Sequence, residues 1–284
     1  MTLPAPIRLI ATSIFLCVAG FPAAKAEPQP APLTVEIDLS KPFGISSPWR
    51  FVATQEPAVF EPVDPALVGS IPETFKGDYR PGLIHLCLQS GPAAACDPLV
   101  AMSQPPAPIP ADAWAPHYLK YAGVVYARAG HEAPLFLLQA ASNQSTDGNQ
   151  AVFTQLLAFN RVKEGFEQVY AHTTGRNNNE EDRFIASGPL QGSVISVEPT
   201  ANAPFAYWIT VTRPGPDFTY KQVLRYRSAT RYGDGNPLAV IDSEMPNIER
   251  RLGLWHSGMK LPLPASSEQP CPNPRLVREA LWCT

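Results

Sequence analysis

The sequence predicts a mainly β protein, with antiparallel strands forming a β-sandwich or barrel-like sheets and two short helices near the C-terminus. Two observations carry that reading. From Tyr118 onward the apolar residues fall in short blocks rich in Val, Ile, Tyr, Phe and Thr, too short for helices. The blocks are divided by clusters such as Thr146-Asp147-Gly148-Asn149, Arg213-Pro214-Gly215-Pro216 and Gly233-Asp234-Gly235-Asn236, which supply the residues that tight turns demand. No repeat of fixed period runs through them, which argues against a propeller or solenoid.

In chain order, Leu33, Val35, Ile37 and Leu39 alternate with Thr34, Glu36 and Asp38, the pattern of a half-buried strand. Ile84, Leu86 and Leu88 alternate in the same way with His85, Cys87 and Gln89. The proline-rich run 103–110 reads as an extended connector, because successive prolines can join neither ladder nor helix. Strand blocks follow at 118–126, 135–139, 152–159, 166–170, 183–186, 194–197, 207–212, 220–226 and 238–242. A helix is expected over 246–255, with Ile248, Leu252 and Trp255 on one face. Another is expected over 274–282, opened by Asn273-Pro274 and showing Leu276, Val277, Ala280 and Leu281 as its apolar face.

Of 284 residues, 45% are hydrophobic and 17% charged, so the chain can bury a core and is not disordered as a whole. Proline is the outlier, at 33 residues against a usual share of about 5%. Seventeen of these prolines lie in 27–116. The organisation expected is a signal peptide at 1–26, a proline-rich part at 27–116 with two or more strands, and a β-rich body at 117–284, the last two forming one domain.

The first 26 residues carry a single early cation, Arg8, an apolar run from Leu9 to Phe21, and Ala24-Lys25-Ala26, the pattern of a cleavable secretory signal. The run is shorter than the roughly 20 residues of a membrane helix, and no later run approaches that length. The protein is therefore expected in the periplasm or outside the cell, with no transmembrane span after signal removal. Arg8 and Lys25 leave with the signal and no acid does, so the mature chain is more acidic than the net −3 of the whole. That balance argues against nucleic acid as a partner, since phosphate-backbone affinity needs clustered cations.

Export leaves four cysteines, Cys87, Cys96, Cys271 and Cys283, an even count that favours disulfides and allows three connectivities. Cys87 with Cys96 closes a short loop. Cys271 with Cys283 meets an objection. Twelve steps of continuous helix would separate them by about 18 Å, against the roughly 4.4 to 6.8 Å of a disulfide. That pair requires a short helix with flanks that fold back, as Pro272 and Pro274 permit. The wide spacings and the lack of Cys-x-x-Cys argue against zinc.

No serine-hydrolase elbow, zinc-protease helix, phosphate loop or dinucleotide fingerprint is present. Three constellations could still carry function. His172 precedes a loop in which Asn177, Asn178, Asn179, Glu180 and Glu181 could hydrogen-bond a sugar or ligate calcium; a solvated turn is the plainer account. Asp234, Asn236, Asp242 and Glu244 offer four oxygen side chains across an expected hairpin, enough to begin a calcium site but not at EF-hand spacing. If Asp242 and Glu244 sit on one strand face they are about 7 Å apart, within the inverting range of glycosidases. Finally, an extended 220–231 would project Lys221, Arg225, Arg227 and Arg231 from one face, to be met by acids such as Glu198 or Asp242, or by an anionic ligand. No cofactor is expected, calcium being the one candidate.

The run from Arg225 to Pro246, closing with Leu252-Gly253-Leu254-Trp255, together with Thr174 to Asn179 and Gly188-Pro189-Leu190, resembles a group of uncharacterised exported proteins of Gram-negative bacteria. The resemblance implies an envelope location and brings no activity or catalytic residues. The functional expectation is an exported, non-enzymatic β-rich protein that binds a ligand or an envelope partner through the loops around Asn177 and Asp234. The alternatives are a secreted polysaccharide hydrolase, with acids drawn from Glu180, Glu181, Asp182, Asp242 and Glu244, and a structural envelope protein.

Overall fold

The computed structural model describes residues 33–62, 77–91, 97–98, 115–144, 150–175, 179–200, 205–229, 231–232, 237–254, 274–277 and 280–283. The expected signal peptide at 1–26, Cys96, Cys271, the expected connector at 103–110, Asn177, Asn178, Asp234, Asn236 and Trp255 lie outside them. The strands are β1 (Thr34–Asp38), β2 (Arg50–Gln55), β3 (Val59–Pro62), β4 (Gly77–Arg80), β5 (Ile84–Gln89), β6 (Asp97–Pro98), β7 (Pro116–Arg128) and β8 (Glu132–Ser142). They continue with β9 (Val152–Asn160), β10 (Gly165–Thr174), β11 (Glu181–Phe184), β12 (Val194–Pro199), β13 (Tyr207–Pro214), β14 (Tyr220–Arg227), β15 (Pro274–Val277) and β16 (Ala280–Cys283). The α-helices are a single turn, α1 (Ser40–Phe43), and α2 (Pro237–Arg251).

The mainly β expectation holds. Three antiparallel four-stranded sheets, ordered β1-β2-β5-β6, β10-β9-β8-β7 and β11-β12-β13-β14, are joined by the hairpins β3-β4 and β15-β16. The three sheets pack in layers. Phe51 of the first sheet meets Phe136 of the second at 4.9 Å between ring centroids, within a core that also holds Leu39, Leu86, Leu138 and Leu157. The other face of the second sheet buries Leu135, Leu137 and Leu156 against Val194 of the third. The far face of the third sheet buries Ile195, Val197, Ile209 and Val211 under Val240, Ile241, Met245 and Ile248 of α2.

Alternation explains the layering. In β8 the odd residues Leu135 and Leu137 face the third sheet, whereas Phe136, Leu138 and Ala140 face the first, so both faces are covered. That accounts for the uninterrupted apolar run in its middle. The proline-rich stretch contributes β1, β2 and β5 to the core shared with β8 and β9.

Three expectations near the C-terminus need correction. Residues 238–242 are not a strand but the first turns of α2, which begins at Pro237 and not at 246. Leu238 to Asp242 fits either period; what decides is that Val240, Ile241, Met245 and Ile248 recur at helical spacing and all fall on the buried side. Pro237 opens the helix, where its missing N–H costs nothing, and Pro246 lies inside it. Second, 274–282 is not a helix. It forms the β15–β16 hairpin, in which Leu276 opposes Leu281 and Val277 opposes Ala280. The same four apolar residues that suggest a helical face also pair across two strands. Third, β14 ends at Arg227, so Arg231 lies beyond the strand and does not extend its row of cations. No helix among the described residues is long and apolar enough to cross a membrane.

Candidate functional site

The site is built where β10, the edge strand of the second sheet, faces the third sheet. A bulge falls at Val169, between the pairs Gln168–Leu157 and Tyr170–Leu156. It places Val169 and Tyr170 on the same side, both against the core shared with the third sheet. Beyond the bulge, Tyr170 and His172 meet Asp182 of β11. The Tyr170 hydroxyl donates to Asp182 Oδ2 at 3.1 Å and lies 3.3 Å from Ser196 Oγ. His172 Nδ1 donates to Asp182 at 2.9 Å, and its Nε2 lies 3.9 Å from Glu198 of β12.

Asp182 is fully buried and His172 about one-third exposed. The hydrogen bond from His172 to Asp182 is the chief cause of a raised imidazole pKa, helped by the charges of Asp182, Glu198 and Glu180 and opposed by burial. Burial and the Asp182 charge also keep the Tyr170 hydroxyl protonated. Its neighbour Glu181 is pushed up to about 7 by burial first and by the Asp182 charge second, with Arg183 and Lys120 opposing.

This geometry differs from that of a nucleophilic triad. A triad imidazole takes the carboxylate on one nitrogen and offers the other to a hydroxyl; here the second nitrogen faces another carboxylate, Glu198, so no hydroxyl nucleophile is served by it. Nor do Glu181 and Asp182 work as a pair on one substrate. They are consecutive in β11 and project to opposite faces, Asp182 toward β10 and Glu181 on the side of Arg183 and α2.

Outward from Glu198 the face opens to solvent. Trp208 of β13 opposes Glu198 on one side and Arg227 of β14 on the other, and 38% of it is exposed. The Arg225 guanidinium stacks 5.0 Å from the Trp208 ring centroid and reaches Glu198 only at 3.8 Å. Arg225 and Arg227 are exposed on this face and Leu224 and Tyr226 turn to the other. Lys221 is exposed too, but a bulge at Val223, between the pairs Gln222–Thr212 and Leu224–Val211, moves it to the opposite face, so the expected single row of cations is broken. Among the described residues, neither Lys221 nor Arg227 has a carboxylate within ion-pair distance.

The other sequence candidates serve the fold. Asn179 is buried and accepts a hydrogen bond from the Tyr207 hydroxyl at 3.2 Å. Glu180 accepts from the Gly175 amide at 3.1 Å. Gly175 has φ +132° and packs so tightly that a Cβ would lie 2.0 Å from the Gln150 carbonyl oxygen. Asp242 and Glu244 are not neighbours on a strand face, because both lie on α2, where two steps turn the chain by about 200°. Asp242 pairs with Arg183. Glu244 accepts from the Tyr226 hydroxyl at 2.7 Å, from Tyr232 at 2.8 Å and from Asn247 at 3.1 Å. Among the described residues no group of three or more His, Cys, Asp or Glu could hold a metal ion.

Sequence reasoning missed Tyr170 and Trp208. Trp208 did leave a signal, as the lone large aromatic on the polar side of the alternating run Tyr207-Trp208-Ile209-Thr210-Val211-Thr212. Tyr170 left none, since only the bulge turns it toward Asp182. The fold and site together define a layered all-antiparallel β protein with a mixed aromatic and cationic outer face. Compared with protein-family models, curated proteins and solved structures, the chain matches none.

Proposed function

We propose that this is an exported, non-enzymatic β-rich protein of the periplasm or cell exterior that binds an anionic ligand or envelope partner on the β13–β14 face. The observation that carries the reading is Trp208, exposed between a stacked Arg225 and an opposing Arg227 that has no ion-pair partner among the described residues. An indole offers an apolar platform, and guanidinium groups recognise carboxylates through paired donors. An acidic glycan combines both demands. Export is supported by the signal pattern of residues 1–26. An oxidising compartment is supported by the even count of four cysteines that export leaves, Cys87, Cys96, Cys271 and Cys283.

The test is a titration of the exported chain with polygalacturonate oligomers, followed by tryptophan fluorescence. Saturable binding that weakens with salt, and that Trp208→Ala or Arg227→Ser reduces at least tenfold, supports the reading. Binding that neither variant weakens, or no binding by any acidic glycan, sinks it. A hydrolase is the second reading, favoured by Glu181, whose carboxyl near 7 would suit a general acid at neutral pH. It requires glycan turnover that Glu181→Gln abolishes.

A further inference from the structure

A cavity of about 300 Å³ lies among Leu33 before β1, the ends of β2 and β5, and the start of β7. It is on the first sheet, away from Trp208, and nothing said about it depends on the glycan reading. Leu33, Ala58, Ile84 and Leu119 give it apolar walls, and His117 lines it with them.

Three observations point to an occupant. The walls are held in place. Gln55 Nε2 donates to the Gly82 carbonyl at 3.2 Å and to the His117 carbonyl at 2.9 Å, and a Cβ on Gly82 would lie 2.4 Å from the Glu56 carbonyl oxygen. The backbone of β7 is also irregular here. His117 is skipped between the pairs Pro116–Ser142 and Tyr118–Ala141, and three consecutive residues, His117, Tyr118 and Leu119, line the cavity where a regular strand would alternate.

The third observation is the imidazole itself. His117 is 8% exposed, and its Nδ1 lies 2.7 Å from the Pro81 carbonyl oxygen. A carbonyl only accepts, so Nδ1 carries the proton, and in the neutral ring Nε2 is left as an acceptor. Nε2 has no hydrogen-bond partner among the described residues. His117 lines the cavity and its Nε2 is not fully buried, so a donor that enters the cavity can reach it.

We propose that this cavity binds a small, mostly apolar alcohol or phenol, its hydroxyl donating to His117 Nε2 and its hydrocarbon part resting on Leu33, Ile84 and Leu119. A pocket of this size sits at the small end of ligand sites, with apolar walls and a single orienting polar atom.

The test uses the exported chain labelled with ¹⁵N-histidine, at about pH 8 where an ordinary imidazole is neutral, with phenol as probe and toluene as its isostere lacking the hydroxyl. Phenol is expected to bind saturably and to move the His117 Nε2 resonance, which toluene leaves in place. His117→Phe should weaken phenol about fivefold, the equivalent of one net hydrogen bond, and should not weaken toluene. Ala58→Trp, which fills the cavity, should abolish both. The proposal is overturned by absence of saturable phenol binding, by an Nε2 resonance that phenol does not move, or by undiminished binding in Ala58→Trp. Should His117→Phe fail to fold, the resonance of the natural chain decides alone.

Discussion

Arg183 of β11 and Asp242 of α2 form an ion pair in which the Asp242 side chain is fully buried and the Arg183 side chain is 8% exposed. The pair ties the helix to the edge strand of the third sheet. Arg183 also reaches the Leu238 carbonyl, while Asp242 Oδ2 has no hydrogen-bond partner among the described residues. Removing one member leaves the other charged and buried, which costs about 3–5 kcal/mol. Asp242→Ala should therefore lower stability by that amount in urea unfolding. The double change Arg183→Met, Asp242→Leu should recover most of the loss, because an apolar pair of similar volume avoids the desolvation of both charges. A double variant no more stable than Asp242→Ala would show that the pair adds more than it costs.

Glu244 is the second buried anion on α2, and it differs from Asp242 in having three donors on its oxygens. The Tyr226 hydroxyl, which burial and the Glu244 charge keep protonated, supplies one of them from β14. Hydrogen bonds to a charged acceptor contribute about 1.5–3 kcal/mol. Tyr226→Phe should cost that much, measured by chemical denaturation. Tyr232→Phe should cost less, because its hydrogen bond to Glu244 is only part-buried and Ser243, which donates to the same hydroxyl, keeps the Val240 carbonyl as an alternative acceptor.

How far the sequence reveals this arrangement depends on the period of each element. Strands covered on one face, such as β1 and β5, announce themselves by alternation, and β9 and β12 do so by apolar runs between turn residues. Leu238-Ala239-Val240-Ile241-Asp242 satisfies both periods, and its helical state is decided by residues further on, Met245 and Ile248, that bury against the third sheet. The 274–282 segment fails for the same reason in reverse. The bulge at Val169, which turns Tyr170 toward Asp182, is the least legible feature because no Gly or Pro marks it, whereas the one at His117 directly follows Pro116. The cationic row of β14 was legible only in part: Lys221, Arg225 and Arg227 are exposed, but the bulge at Val223 puts Lys221 on the face opposite Arg225 and Arg227. The pairing of His172 with Asp182 was not, because it joins two sheets.

Two groups give stability the same dependence on pH. A His172 pKa raised above 6.5 contributes stability that is complete below about pH 6.5 and is lost as pH rises through the folded value. Glu181, held up to about 7 from 4.5, folds more favourably as the neutral acid. Its contribution is complete below about pH 4.5 and declines as pH approaches 7. The melting temperature should therefore fall from about pH 5 to pH 8. Glu181→Gln should flatten the lower part of that profile and His172→Gln the upper part. A melting temperature that climbs across this window would contradict both assignments.

The Phe51–Phe136 contact joins the proline-rich N-terminal part to the body, and it tests whether they unfold as one. Both rings are fully buried, with centroids 4.9 Å apart and planes tilted by 46°. Truncating a buried Phe costs about 3–5 kcal/mol, and a pair of touching aromatics adds about 0.5–1.5 kcal/mol of coupling. Phe51→Ala and Phe136→Ala should each destabilise by the larger amount. The double variant should lose less than the sum, by the smaller amount. Because the first and second sheets share this core, tryptophan fluorescence and far-ultraviolet dichroism should report a single transition in the natural chain. Trp49, on the first sheet's side, packs against Phe159 and Phe166 of the second, so its signal should change with the body's. Two separated transitions would mean that the first sheet opens on its own, and the coupling between Phe51 and Phe136 should then be absent from the stability of the third sheet.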